Sequence, residues 1–483
     1  MKILLNKVMF VLPARAFFID YTVSEKRQLP VVKEFVVRLL YSTDGADPNI
    51  LKKYFGFSDM EMNSILDDLL EESLVEWDDE RVVLSQYASG KFEELGGRMI
   101  PRFFEVVDKY DDVRFELHDF KMLPRDIVIG GGNNRIGINL TLPNESFKNL
   151  DNKAQGAFDS NFQRFREVIK KEDIYAERQE LYKINHVVSK YDCVVPLEVE
   201  YYIDSNAPTE LKTGYVSPIF DEWDEEKNLF TTMDECIPCV KEAIKGHGLP
   251  SYLVATKDPF LLKYWNDEHK VFDYEVMLNH FVSGVNNEGE ETQMILGNLY
   301  TDTNSVAILD KLNSIFDGKK STSGLIWFAN TDTATWGRSD SFSKLLSRIR
   351  ELFDGRRVTT TPVAVVSCDS GPEAYELRQI FGGLDAKFLG CAKRFGGSAT
   401  EVLLIPDVMV ACLYHSDIDD HRNIQLPVGY ISFNKSQIHV VEEQVRKWAV
   451  SREIFNSYFE PKDVKDKETT LQKIFLPSID VKI

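Results

Sequence analysis

The densest collection of metal-capable side chains in the chain is His415-Ser-Asp-Ile-Asp-Asp-His421, which places His415, Asp417, Asp419 and His421 in one short stretch. Imidazole nitrogens together with carboxylate oxygens suit a borderline or hard divalent cation. The two histidines lack the i, i+4 spacing that puts both on one helix face in an H-E-x-x-H site, so a solvated acidic loop is the plain alternative. A second candidate is Cys236-Ile-Pro-Cys239, followed by the helix-like VKEAIK. A C-x-x-C at a helix start can lower a thiol pKa and support dithiol chemistry. As half of a zinc site it needs two more ligands; no second C-x-x-C exists, and His247, His269 and His280 are not diagnostically spaced. The preceding TTMDE makes a poor strand for a thioredoxin-like unit, so a buried thiol pair is the simpler reading. A third group is cationic. Lys393-Arg394, with Ser370-Gly371 upstream, could hold an anion at a strand end, where sheet-crevice ligands bind, or could serve only solubility.

The elements that must position these residues are organised around GSATEVLLIPDVMVACLYHS. Two apolar runs, Val402–Ile405 and Val408–Leu413, flank Pro406-Asp407 and predict a buried hairpin. Upstream, GLIWFAN reads as a buried strand, and Phe342, Leu345, Leu346 and Ile349 mark one face of a helix. A strand at 362–367 and a helix at 373–381 follow. After the hairpin come the strand LPVGYISF and an amphipathic helix carrying Val440, Val441, Val445 and Trp448. The order predicts an α/β domain, a central sheet with helices on both faces.

That element order, over about residues 290–450, resembles the phospholipase D superfamily domain. The resemblance implies an H-x-K-x4-D motif on the first hairpin arm, with the His as nucleophile and the Lys on the phosphoryl oxygens, and a G-S-x-N at the end of the second. If Asp407 takes the motif Asp, the Lys position falls on Val402 and the His position on Thr400; a shift by one residue gives Pro406, Glu401 and Ala399. Neither frame supplies the nucleophile and cation that the chemistry needs. Thr400, Val402 and Asp407 therefore mark a degenerate motif, and the loop from His415 to His421 is where a replacement site would sit.

The 483 residues allow two to four domains, and 43% hydrophobic with 28% charged residues is ordinary for a globular protein. Fifty-seven basic residues against 77 acidic ones leave a net charge of −20, which argues against a broad phosphate-tracking surface. The apolar N-terminus is interrupted by Pro13 and Arg15 and reads as a strand, not a signal sequence. No apolar run reaches transmembrane length, and six scattered cysteines make no disulfide framework; the expectation is a cytoplasmic protein without membrane contact.

Residues 24–95 predict three helices and a hairpin. Val32, Phe35, Val36, Leu39 and Leu40 form the inward stripe of the first helix. Asp47-Pro48 opens the second, which runs through Leu51 and Tyr54, and Ser58-Asp59 opens the third. The order resembles the winged-helix family, with LVEWDDERVVLS as the wing. In DNA-reading members the third helix enters the major groove, but here it carries Asp59, Glu61, Asp67, Asp68, Glu71 and Glu72 and no cation. A protein-contact role is the expectation, with Lys52, Lys53, Lys91, Arg98 and Arg102 left for a backbone contact by another face.

The middle is mixed α/β. Gly130–Asn134 lacks the P-loop pattern and reads as a turn between strands. Phe158, Phe162, Phe165, Val168 and Ile169 predict a helix continuing through Leu181, Ile184 and His186, before a strand at Cys193–Ile203. FLLKYW and YEVMLNHFV read as further helical segments.

The expected organisation is a winged-helix domain at 1–98, a mixed α/β region at 99–290, a degenerate phospholipase D-like domain at 291–455, and a charged linker with an apolar tail at 456–483. Fusions of this kind resemble proteins of bacterial genome-defence and restriction loci. The implied role is a non-catalytic subunit of a nucleic-acid-processing or antiviral complex. Its partner would be an ATPase or nuclease, with nucleic acid reached through that partner and no cofactor required. Two alternatives stay open: a metal-dependent nuclease using His415, Asp417, Asp419 and His421 with a divalent metal (zinc being the option at the cysteines), and a winged-helix DNA-binding regulator.

Overall fold

A computed structural model describes residues 2–27, 29–95, 98–126, 129–130, 136–171, 179–204, 207–215, 227–237, 248–266, 268–269, 271–284, 291–321, 323–353, 361–368, 370–384, 386–417, 424–450, 471 and 474. The architecture is mixed α/β, in two compact units. One comprises Met1–Ala14, Ile127–Ser146 and Asp192–Ile483; the other comprises Arg15–Asp126 and Phe147–Tyr191. Among the described residues, no helix is long and apolar enough to cross a membrane.

The first unit is built on a seven-stranded sheet in the order Thr292–Leu296, Gln425–Ser432, Met409–Asp417, Thr400–Ile405, Ile326–Phe328, Val363–Ser367, Lys387–Cys391. The last three strands run parallel and are joined by the helices Asp340–Glu351 and Gly371–Phe381; the other pairings are antiparallel. Both faces are covered, so the central strands are apolar at nearly every position instead of alternating. On one face Val402, Leu404, Val410, Cys412 and Tyr414 pack with Tyr252, Met277, Ile438, Val441 and Val445. On the other, Leu403, Ile405, Met409, Ala411 and Leu413 pack with Ile308, Phe342, Leu345, Ile349 and Phe381. The helix Asp340–Glu351 follows from its sequence: Ser339 caps it by accepting from the Phe342 N–H at 3.4 Å, and the four apolar residues predicted on one face are all buried.

The hairpin is present with a different turn. Ile405 pairs with Met409, so Val408 lies in the turn and not on the second arm. The Val408 N–H donates to the Ile405 carbonyl at 3.0 Å, with Pro406 at the second turn position and Asp407 at φ 62° at the third. That combination is the requirement of a type II turn, where Asp tolerates the left-handed region better than most residues. The strand Lys387–Cys391 was not anticipated: KFLGC is short and carries a charge and a glycine, and its pairing with Val363–Ser367 is non-local.

In the second unit, the helices Val31–Thr43, Pro48–Phe55 and Asp59–Glu71 precede the strand pair Val75–Asp78 and Arg81–Leu84. Asp47 caps the second helix by accepting from the Asn49 N–H at 2.7 Å, with Pro48 in its first turn; Ser58 and Glu61 form a capping box on the third. Val36, Val37, Leu40, Leu51, Met62, Leu66, Leu69 and Val82 make the core. The first helix is rotated from the predicted stripe. Val37 points inward, whereas Val32 and Phe35 are 42% and 54% exposed, and Tyr54 of the second helix is 69% exposed.

Elsewhere in this unit, Tyr21 is surrounded by Phe158, Phe162 and Phe165, and its hydroxyl donates to Asp111 at 2.9 Å. The helix through these phenylalanines does not continue as predicted. It ends in a short π-helical turn, Phe165–Ile169, and Leu181, Ile184 and His186 belong to the strand Glu180–Asp204. In the first unit FLLKYW is likewise a 3-10 turn, Leu261–Tyr264, running into a short strand, while YEVMLNHFV is helical as read.

Candidate functional site

The carboxyl ends of Ile326–Phe328, Val363–Ser367 and Lys387–Cys391 lie side by side. Parallel strands place ligand crevices just beyond such ends. Asn330, Thr331 and Asp332 follow the first strand, Ser367 ends the second, and Arg394 lies shortly after the third. The Arg394 Nε–H donates to Ser367 Oγ at 2.7 Å, and its Nη1 pairs with the Asp332 carboxylate. These groups border a cavity of about 20 Å³, room for a single water-sized group. Asn330 is 3% exposed; its Nδ2 donates to Thr333 Oγ1 at 2.9 Å, while its Oδ1 is buried without a hydrogen-bond partner among the described residues. Arg394 is thus charge-balanced by Asp332 and sits about a quarter exposed. Lys393 is exposed, and its carbonyl accepts from Trp448 Nε1 at 3.2 Å. Ser370 is occupied as the cap of Gly371–Phe381, accepting from the Glu373 N–H.

A second polar cluster lies inside the sheet. Glu401 is on the first hairpin arm and His415 on the second, two residues along from the position paired with Glu401. Diagonal positions on one face are within reach of long side chains. His415 Nε2 and Glu401 Oε2 are 2.7 Å apart, with the side chains 1% and 0% exposed. The other carboxylate oxygen, Oε1, accepts from Trp327 Nε1 at 2.8 Å. Aromatic rings close over the pair: Trp336 and Phe342 lie edge-on to Trp327, and Tyr300 to Phe342. Burial holds the Tyr300 phenol well above its ordinary range, with the Glu401 charge adding to the effect. A dyad doing acid–base chemistry must reach a substrate proton directly or through one water. This one is sealed, and the pair satisfies buried polar groups instead.

The remaining predicted residues are dispersed. Thr400 is buried, with its hydroxyl donating to the Gly396 carbonyl at 2.7 Å, and Val402 is fully buried in the opposite core from Glu401. Asp407 is exposed in the turn. Asp417 ends the second arm opposite Gln425; Asp419 and His421 lie outside the described residues. His415, expected on a loop, is on a strand with its Nε2 bound to Glu401. Cys236 ends a helix, and its Sγ accepts from the Thr141 N–H at 3.2 Å; Cys239 and His247 lie outside the described residues. His280 Nδ1 is 3.1 Å from the Tyr264 hydroxyl, and the His269 backbone N–H donates to Asn266 Oδ1 at 3.0 Å. Among the described residues, no group of three or more His, Cys, Asp or Glu is arranged to hold a metal ion.

The acidic third helix is partly neutralised from within its own unit. Lys33 bridges Asp68 at 2.8 Å and Glu72 at 3.0 Å, and Arg27 reaches Glu72 at 2.7 Å, while Lys52 pairs with Asp59. The hydrogen bond to Asp68 raises the Lys33 ammonium pKa above its ordinary value. Asp67 and Glu71 remain exposed.

Sequence reasoning missed Glu401 as the partner of His415, together with Trp327, Asn330, Asp332 and Ser367. The signal for Glu401 was available in the hairpin register, but it required the turn length. The others are brought together by parallel strand pairing, which leaves no local trace. No family model matches this chain, and no curated protein matches it.

Proposed function

We propose that the chain is a non-catalytic, cytoplasmic subunit of a bacterial nucleic-acid-processing or antiviral defence assembly. In this reading a winged helix spans the three helices and the hairpin ending near residue 85, and a degenerate phospholipase D-like domain spans about 291–455. It acts through a protein partner, an ATPase or nuclease, and uses no cofactor of its own. One observation carries the reading: the positions that would bear a nucleophile and a phosphate-holding cation are Thr400 and Val402, both buried. The nearby histidine, His415, is bound to Glu401 beneath the surface.

The test has two arms. Native gel filtration should show the protein migrating with a partner; a lone species counts against the subunit role. Purified protein with labelled single- and double-stranded DNA and RNA, plus Mg²⁺ or Mn²⁺, should cleave nothing. Cleavage that disappears in Asp419→Asn/His421→Ala would replace the proposal with a metal-dependent nuclease. Steeply salt-dependent duplex binding would instead favour the DNA-reading regulator.

A further inference from the structure

The rotation of the first helix in the second unit has a consequence. Phe35, which periodicity places in the core, instead lines an open groove of about 480 Å³ with Leu39, Tyr54, Phe55 and Met99. Phe35, Tyr54 and Met99 are 54%, 69% and 37% exposed, so the groove floor is apolar surface left in water. Two cations border it, Arg38 and Arg98. Arg98 is exposed and makes no ion pair among the described residues; Arg38 meets the Glu34 carboxylate of its own helix at 3.4 Å and lies over the Phe35 ring, 5.9 Å from its centroid. On a chain of net charge −20, the groove's lining carries two arginines and no carboxylate. Arginine guanidinium groups prefer planar carboxylates and can hold them bidentately.

We propose that this groove docks an acidic amphipathic helix of a partner protein, its apolar stripe against Phe35, Tyr54 and Met99 and its carboxylates on Arg38 and Arg98. The inference rests on the reading of the chain as a partner-binding subunit and names the surface and the chemistry of what it binds. Helix-in-groove recognition uses apolar residues at i, i+3, i+4 and i+7, which match a groove between a helix face and a strand. The competing occupant is single-stranded nucleic acid, stacked on aromatic rings. Two of the four lining rings are taken, Tyr41 being stacked on Phe92 at 3.8 Å and Phe55 on Phe57 at 5.4 Å, which leaves Phe35 and Tyr54 as the open ones. Stacking platforms need open ring faces along a continuous basic track, whereas among the described residues the cations lining this groove are Arg38 and Arg98 alone.

A display library of random peptides of about 16 residues, long enough for four turns, would be selected on the full-length chain. Individual peptides are then measured by fluorescence anisotropy. Sequences combining Leu, Phe or Trp with Asp and Glu should be enriched. Arg38→Glu/Arg98→Glu and, separately, Phe35→Ser should weaken them by about tenfold or more. All three side chains are at the surface, and unchanged thermal melting certifies that the variants fold. Enrichment of basic sequences, peptides that bind all variants equally, or an oligothymidylate that outcompetes the selected peptides would each overturn the assignment. A protein that runs alone on native gel filtration yet binds acidic peptides through the groove would overturn the subunit reading and leave the groove's chemistry standing.

Discussion

Two polar clusters in the same sheet unit differ in one respect, access to water. Glu401 and His415 lie between the strands and a layer of aromatic rings, 0% and 1% exposed. Asp332 and Arg394 sit at the mouth beyond the strand ends, about a quarter exposed. Burial makes every unmet hydrogen bond expensive, and in the inner cluster both Glu401 oxygens have hydrogen-bond partners. At the outer cluster the Asn330 Oδ1, itself buried, has no hydrogen-bond partner among the described residues and borders a cavity with room for one water-sized group. The inner pair therefore belongs to folding, and the outer one is where ligand chemistry remains open.

Removing the carboxylate of the inner pair tests this most severely. Glu401→Ala should cost about 3–5 kcal/mol, since it strands two buried polar side chains, Trp327 and His415, and leaves a cavity. Urea unfolding measures it, and a loss under about 1 kcal/mol would end the distinction between the clusters. Glu401→Leu/His415→Leu should recover much of that loss, because a well-packed apolar pair can replace a buried polar one. Trp327→Phe keeps an aromatic ring in the core, at the cost of a small cavity, and takes the donor from Glu401 Oε1. The expected cost is about 1–3 kcal/mol by the same unfolding curve. At the mouth, Arg394→Ala should change stability by about 1 kcal/mol or less, because a partly exposed ion pair is screened by solvent. A larger effect would move this cluster into the structural class.

Glu116, in the other unit, sharpens the comparison as a buried carboxylate held by backbone donors, with His118, Asp119 and Lys121 N–H groups at 2.6, 3.0 and 2.7 Å. Desolvation raises its pKa above the ordinary 4.5, the backbone bonds opposing the shift. Its contribution is therefore fully present below that ordinary value and is lost as pH rises through the raised folded one. The stability difference between wild type and Glu116→Gln should fall as pH climbs from about 4 toward neutrality. This is the smallest of the expected effects, a slope in stability against pH, and a difference that grows with pH would refute it.

How far the site was legible turns on one residue of the hairpin. With Pro406-Asp407 read as a two-residue turn, Ile405 pairs with Val408, and Glu401 and His415 fall on opposite faces. The three-residue turn pairs Ile405 with Met409 and puts them on one face. A one-residue change in turn length inverts every side chain of an arm. Periodicity correctly located the helix Asp340–Glu351, the buried arms and the caps at Asp47 and Ser58, which depend on neighbours along the chain. It failed for Phe35: the apolar stripe of the first helix is wider than the face its small core can cover.

What the amino-acid sequence by itself determined is many of the local elements, among them the hairpin arms and the helix Asp340–Glu351, and the acidic character of the third helix. Helical and strand periods, capping residues and charge are properties of short segments, and they survive reading one segment at a time. Only the tertiary structure decided that His415 meets Glu401, that Arg394 meets Asp332 and Ser367, and that Phe35 stays in water. Each depends on residues distant in the chain competing for the same space. Which contact wins is set by pairing register and by the volume the core can enclose.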